Sequence, residues 1–361
     1  MRLFQNSGIY HSYRPRLAKL TKDCESHREA ISAFLADRYG IAHVLEPVLS
    51  GEPTAFFTNG DDEHAQRLWA SEKGLKANSS LADVLLAQIE DHRAEVFYNS
   101  DPMRYGDEFL LRLPGCVRRT VAWRAAPSQG GRFLKHDVIV NNFPRLLEGY
   151  RAQGVRAEFL APAHDPAMDE YAGRRDRPVD VLFIGSYSRH HTARAQVLER
   201  VAKLRNRMKV VMHLDRSRMT RLAETPLGWI GPLGRYRRNK EVRAVAATPV
   251  FGRDLLNAIA NAKIVINGAI DMAGADRGNM RVWEALGCGA ALVSDEGSYP
   301  DEMVAGQHFV TYKSPEQAAA VICELLSDDQ RRWELARAGH EMIANHFSKS
   351  NQWARFVEIV E

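Results

Sequence analysis

Arg281 and Glu284 stand three positions apart inside the segment Gly278 to Asp295, the most informative stretch of this chain. The segment reads as a polar loop, a short helix opening near Asn279, a glycine turn from Gly287 to Gly289, and then a buried strand. A helix start is a ready anion site, because its free backbone N–H groups and its dipole both favour negative charge. Arg281 falls in the first turn, where a guanidinium can grip phosphate oxygens in bidentate fashion. Glu284 is on the same helix face, and an acceptor-only carboxylate there suits the two hydroxyls of a ribose. Phosphate at the helix mouth with ribose one turn deeper is how a nucleoside diphosphate would lie.

A second loop of similar chemistry follows the apolar run Val179 to Ile184. It begins Gly185, Ser186, Tyr187, Ser188, Arg189 and continues through His190, His191 and Thr192 to Arg194. Ligands of doubly wound sheets bind at the carboxyl ends of strands. The small residues Gly185 and Ser186 would let a phosphate or sugar approach the backbone, and Arg189 and Arg194 could neutralise its charge. His190 and His191 could hold a metal, but no further ligand stands at a recognisable spacing, so no metal is expected. The polar stretch from Asp271 to Gly278 contains Asp276, eight positions before Glu284. No Gly-x-x-x-x-Gly-Lys-Ser/Thr loop and no Gly-x-Gly-x-x-Gly after a strand occurs, which argues against P-loop nucleotidases and dehydrogenases.

Two series of alternating strands and helices must position these residues. The first has strand-like runs at 42–45, 54–57, 94–98, 119–123, 137–140 and 157–160, with helical patterns at 25–39, 61–72 and 144–153. The second has strands at 179–184, 209–212, 263–266, 290–293 and 308–311, and helices at 192–204 and 254–262, with three more helical segments from Pro315, Asp328 and Asn351. Alternation of this kind implies parallel sheets covered on both faces. The expected class is α/β, with two Rossmann-like domains facing a cleft. The expected division is an N-terminal domain over 1–165, a linker over 166–178, a C-terminal domain over 179–345, and a final helical segment over 346–361 that packs back on the N-terminal domain.

At 361 residues, two domains are the default. A net charge of +4 and a pI near 8.8 suit an anionic substrate and are too weak to argue for nucleic acid. Cys24, Cys116, Cys288 and Cys323 show neither paired nor metal-site spacing, as expected of reduced thiols. No leader-like apolar stretch and no membrane-spanning run is present, so a cytoplasmic protein is expected, at most peripheral to a membrane.

Residues 278–295, continuing through Tyr299, Pro300, Asp301 and Glu302 to Val310, Thr311 and Tyr312, resemble the C-terminal domain of GT-B glycosyltransferases. They look most like the bacterial group 1 family related to the spore-maturation protein CgeB. The 185–194 loop is similar to that group's first donor-domain loop, and 137–166 to its segment leading to the linker. The resemblance covers about residues 94 to 312 and is strong in 179–312.

It implies a nucleoside-diphosphate sugar as donor, held by the C-terminal domain, and an acceptor at the N-terminal one, with no separate cofactor. It assigns ribose to Glu284 and diphosphate to the Asn279–Arg281 turn and the 185–194 loop. Many retaining members carry two glutamates eight residues apart. Here the first is Asp276, which leaves the stereochemical outcome open. No Asp-x-Asp motif exists in the sequence, consistent with a metal-independent mechanism in which arginines and helix dipoles stabilise the leaving diphosphate. An inverting enzyme would need a general base in the N-terminal domain. Asp101, just past the strand at 94–98, and His11 are the candidates.

The expected function is transfer of a sugar to a surface polysaccharide, protein or lipid intermediate. One alternative is a DNA-base glycosyltransferase acting on hydroxymethylated DNA, by analogy of architecture. The basic run Arg235 to Lys240, interleaved with Tyr236, would then contact phosphates, although a solvated loop explains it as well. A second alternative is a non-catalytic sugar-nucleotide-binding protein of the same fold.

Overall fold

The computed structural model describes residues 1–126, 131–187, 192–215, 218–229, 231–268 and 274–361. The chain divides into two compact units. Unit 1 is Met1–Ala163 with Lys349–Glu361, and unit 2 is His164–Ser348. Each is a parallel β-sheet with helices, so the chain has two Rossmann-like α/β domains.

The sheet of unit 1 has six strands: β1 (Leu3–Asn6), β2 (Ala55–Thr58), β3 (Val96–Asn99), β4 (Arg119–Trp123), β5 (Val138–Asn141) and β6 (Ala157–Phe159), in the order β2-β1-β3-β4-β5-β6. Every pairing is parallel. Phe4, Phe97, Leu85 and Ile89 are fully buried on one side of it. Each such side chain contributes about 1.5–3 kcal/mol on leaving water. The helix Leu81–His92 that supplies Leu85 and Ile89 starts on a Ser80 cap, whose hydroxyl accepts from the Asp83 N–H. Arg93, in the left-handed conformation at φ 52°, stops it.

The interior strand β1 is one that sequence pattern alone does not reveal, because it is a four-residue run next to the N-terminus. The expected strand at 42–45 is instead a 3-10 turn, Ile41–His43, followed by the short helix Glu46–Leu49. Gly40 at φ 61° bends the chain into it. The Gln5 carboxamide then holds the segment from both sides, donating to His43 O and accepting from Leu45 N–H. A short buried apolar run is compatible with either structure, and a ladder partner is what it lacks here.

The sheet of unit 2 comprises β7 (Val179–Gly185), β8 (Val210–Leu214), β9 (Ala246–Ala247), β10 (Ala262–Ile266), β11 (Ala291–Asp295) and β12 (Val310–Tyr312), ordered β12-β11-β10-β7-β8-β9 and wholly parallel. Counted within the unit, this is the 3-2-1-4-5-6 order of dinucleotide-binding sheets. Val181, Leu182, Ile264, Val265, Leu292 and Val293 are all at most 1% exposed, the pattern of strands covered on both faces.

Residues 166–178, expected as a linker, fold with unit 2. They carry a 3-10 turn, Pro166–Met168, and a short helix, Asp169–Ala172. Buried Arg177 donates to the carbonyls of Ala172, Ile259, Ala262 and Cys288, which satisfies all of them with one guanidinium. The last helix, Lys349–Val360, belongs to unit 1. Lys349 Nζ donates to Ile41 O and Val44 O, Gln352 Oε1 accepts from Ala161 N–H, and Phe356 packs on Tyr98 at 5.1 Å. The four cysteines are free thiols. No helix among the described residues is long and apolar enough to cross a membrane.

Candidate functional site

Strand order in unit 2 reverses between β7 and β10, and the carboxyl ends of such neighbours frame the ligand crevice of an open α/β sheet. Gly185 closes β7, and Ser186 follows it, exposed. Arg194, in the first turn of the helix Thr192–Ala202, reaches back with Nη2 to Ser186 Oγ at 3.0 Å. Its aliphatic stem crosses Gly268, just past β10: a Cβ on Gly268 would lie 3.3 Å from Arg194 Cγ and 3.1 Å from the Tyr312 hydroxyl. That hydroxyl donates to Asn267 O at 2.7 Å. The missing side chain at 268 thus leaves the lane in which Arg194 spans the two strand ends. Arg189, with His190 and His191, lies outside the described residues.

The helix expected near Asn279 runs Met280–Gly287 with Asn279 at its N-cap. The cap side chain does not fold over the helix amides. It pairs reciprocally with the Asn267 carboxamide, at 2.8 and 3.0 Å, and Asn267 donates further to Ser294 Oγ on β11 at 2.9 Å. The helix start is thereby pinned to the ends of β10 and β11, with no side-chain cap over its first turn. Trp283 secures the approach from below, its Nε1–H bonded to Gly278 O at 2.8 Å and its ring edge-on to Phe347.

Arg281 and Glu284 share a helix face, as their spacing requires, and they meet each other. Arg281 Nη1 is 2.5 Å from Glu284 Oε2, and Arg281 Nε donates to Ile184 O on β7 at 3.3 Å. Both side chains are largely withdrawn from water, at 13% and 15% exposure. Burial pushes the Glu284 carboxyl above its ordinary range, while the Arg281 guanidinium opposes the shift in part. Asp276 is 2% exposed and forms a lone β-bridge with Ser298. The neighbouring Arg277 ties this loop to β11 through Asp295, 2.6 Å away. Gly185, Ser186, Arg194, Asn279, Arg281 and Glu284 therefore surround the β7 and β10 ends, with Asp276 buried in the adjoining loop.

Unit 1 has its own reversal, between β1 and β3. Asn6 and Asn99 close these strands side by side, with Asn6 Nδ2 donating to Asn99 Oδ1 at 3.0 Å. Asp101 follows, and its carboxyl lies over Gly8, where a Cβ would come 3.0 Å from Oδ2. Arg104 Nε donates to Asp101 Oδ2 at 3.2 Å. His11, on the loop after β1, is exposed. Sequence pattern missed Asp61, beyond β2. It accepts from Arg14 Nη2 at 2.5 Å and from the Ile9 N–H, and its Oδ1 is buried with no hydrogen-bond partner among the described residues. Burial pushes the Asp61 carboxyl up, Arg14 opposes this, and Asp101 adds to it. The residue pair Asp61-Asp62 opens a helical pattern and reads as a cap. Asp62 is that cap, with its side chain accepting from His64 N–H.

The basic run at 235–240 is partly consumed inside unit 2. Arg237 donates to Ala223 O and Thr225 O, and Arg238 is paired with Glu224 at 2.5 Å, both side chains 8% exposed.

Residues 196–358 match the family model described as "Glycosyl transferase-like". No curated protein sequence matches the chain. Among solved structures, HepE from Anabaena, in complex with UDP and glucose, is similar over 99% of both chains at 12% identity and TM-score 0.61. Sucrose-phosphate synthase from Thermosynechococcus elongatus is similar over 99% of this chain and 98% of its own, at 8% identity and TM-score 0.57. AviGT4, a glycosyltransferase involved in avilamycin A biosynthesis, is similar over 99% and 96%, at 13% identity and TM-score 0.55. The fold is that of the GT-B glycosyltransferases.

Proposed function

We propose that this protein is a glycosyltransferase of the bacterial group 1 type that moves a sugar from a nucleoside-diphosphate sugar to an acceptor hydroxyl. The observation that carries the reading is the convergence of Arg194, Arg281 and an open helix start on the carboxyl ends of β7 and β10. Within that type, the motifs at 278–312 resemble the CgeB-like group. Two guanidiniums and a dipole end supply what a leaving diphosphate needs, fixed positive charge in place before the bond to the sugar C1 breaks. Glu284, deeper on the same helix face, takes the ribose hydroxyls. Gly185, Ser186 and Asn279 line the diphosphate, Arg189 adds charge from the same loop, and Asp276 backs the donor loop. This assignment asks no metal ion to stabilise the leaving group.

Unit 1 takes the acceptor, a surface polysaccharide, protein or lipid intermediate. In an inverting transfer, as the new bond from the acceptor oxygen to C1 forms and the C1–diphosphate bond breaks, the hydroxyl proton passes to a general base. Asp101 is the first choice for that base and exposed His11 the second. Asp61, beside Asp101, keeps a carboxyl oxygen uncommitted and is a third. Activity is expected in the cytoplasm, including at the membrane face.

Thermal-shift titration with UDP, GDP, CDP, dTDP and ADP and their sugars tests the reading. A ligand at 100 times its Kd raises stability by about 2.7 kcal/mol. UDP comes first, because HepE holds it. One nucleotide series should raise the melting temperature, and its sugar conjugate should be hydrolysed slowly without acceptor. If no nucleoside diphosphate stabilises the protein, the reading is wrong.

A further inference from the structure

The helix Met280–Gly287 has a second end, and side chains from two other parts of unit 2 gather there. His164 and Asp169 lie on the segment that begins the unit, and His340 projects from the long helix Asp329–His346. His164 Nε2 is 2.7 Å and His340 Nε2 3.6 Å from the same atom, Asp169 Oδ1. All three ligand atoms lie within 4.8 Å of one another. Eight residues of helix span about 12 Å, so this cluster is separate from the anion-binding end.

The proton positions make the cluster unusual. His340 Nδ1 faces the Gly287 carbonyl at 2.9 Å. A carbonyl only accepts, so Nδ1 carries a proton, and Nε2 is the ring nitrogen that faces Asp169. At 3.6 Å, His340 Nε2 and Asp169 Oδ1 stand beyond hydrogen-bond distance, a separation that two ligands of one cation can take. His164 Nε2 is hydrogen-bonded to Asp169 Oδ1, while its Nδ1 is buried with no hydrogen-bond partner among the described residues. Gly287 keeps the space open, since a Cβ there would lie 3.2 Å from His164 Nδ1 and 2.6 Å from the Met168 sulfur. A cavity of about 740 Å³, lined by Asp169, Trp333, Arg337 and His340 among others, gives access from solvent.

We propose that His164 Nε2, Asp169 Oδ1 and His340 Nε2 form a binding site for a divalent metal ion of the zinc class, with water as fourth ligand. Two imidazoles and one carboxylate suit Zn²⁺ and its neighbours and not the all-oxygen preferences of Mg²⁺ or Ca²⁺. The ion ties the segment 164–169 to the helix Asp329–His346 and, through His340, fixes the carbonyl that ends the helix bearing Arg281 and Glu284. Its part is to hold that helix in place, and the sugar-transfer chemistry does not pass through it. His340 has a carbonyl behind it, whereas His164 has none. Loss of one such partner lowers affinity about 10–100-fold, so the ion exchanges and is removed by chelators.

Chelator-treated full-length protein should be titrated with Zn²⁺ alone by calorimetry, and with Co²⁺ alone to read the visible absorption of a four-coordinate nitrogen–oxygen site. We expect one ion per chain and a rise in melting temperature. His340→Gln and Asp169→Asn, at half-buried and exposed positions, should each weaken binding about tenfold or more, with the metal-free melting curves showing that both variants fold. His190→Gln/His191→Gln should bind as the wild type does. No stoichiometric uptake would overturn the proposal. Uptake undiminished in both single variants would also overturn it, as would uptake lost in the double variant.

Discussion

Replacing Glu284 with glutamine should weaken nucleotide binding while leaving the free protein as stable or more so. The carboxylate is 15% exposed, so its contacts are little screened by solvent. A hydrogen bond to a charged group contributes about 1.5–3 kcal/mol. Two ribose hydroxyls losing a charged acceptor for a neutral one should therefore cost about 2–3 kcal/mol, or roughly 30–150-fold in Kd. Some of this is offset, because the substitution also releases Arg281 from Glu284 Oε2 toward the phosphates. A cycle that pairs the variant with a 2′,3′-dideoxynucleoside diphosphate removes the ambiguity. The wild type should prefer the ribo-nucleotide strongly, and Glu284→Gln should scarcely distinguish the two. Calorimetry gives all four affinities. If the variant loses equal affinity for both ligands, Glu284 does not read the ribose.

The stability arm follows from the sign of the pKa shift. Burial raises Glu284 in the folded state above its unfolded value, so its folding contribution is most favourable at low pH. That contribution is lost as pH rises through the raised pKa. At neutral pH the charge is a net cost of folding, and an uncharged isostere removes it. Binding runs the other way: nucleotide affinity should fall as pH drops through the same raised pKa, and Glu284→Gln should flatten that dependence.

Gly268→Ala should impair diphosphate binding without touching the ligand, because its Cβ would meet Arg194 Cγ at 3.3 Å and the Tyr312 hydroxyl at 3.1 Å. Calorimetry should show a loss comparable with Arg194→Ala, and unchanged affinity would mean that Arg194 does not serve from that lane. Arg194→Ala should weaken binding of inorganic pyrophosphate as well as of nucleotides, whereas Glu284→Gln should spare pyrophosphate. Asp101→Asn should lower kcat for transfer about 10²–10⁴-fold while donor Kd stays put. If Asp61→Asn does this and Asp101→Asn does not, the base has been assigned to the wrong carboxylate. Asn279→Ala, which strips Asn267 Oδ1 of its donor while Nδ2 keeps Ser294, should cost about 1–3 kcal/mol in chemical denaturation as well as weakening donor binding.

Much of unit 2 was legible in the sequence, because long apolar runs such as 179–184 and 262–266 sit between helices with clear periodicity. The positions of Arg281 and Glu284 on one helix face followed from spacing alone. Their mutual ion pair did not, since two side chains built to hold a ligand will also satisfy each other when free. Asn267 carried no signal as a lone polar residue after a strand, yet its carboxamide fixes the helix start. Unit 1 was harder to read. Leu3–Asn6 is short and lacks an alternating pattern, while 42–45 has strand-like composition with no ladder to join. Asp61 was hidden by the plausible cap it forms with Asp62. His164, Asp169 and His340 are separated by 5 to 176 residues along the chain, and no spacing rule joins positions so far apart.

Unit 1 is split by the whole of unit 2 along the chain, and vectorial synthesis feels that split. After residue 163 a ribosome must add roughly 190 more residues before Lys349 can reach the carbonyls of Ile41 and Val44. At about 5–20 residues per second that is a wait of about 10–40 s. Through that interval Tyr98 has no Phe356 to cover it, and the loop around Ile41 lacks its closing cation. Unit 2 has no such gap and can complete itself first. The first half of the gene product therefore depends on its last turns of helix, and stalled or truncated chains should expose unit 1 to proteases while unit 2 stays protected.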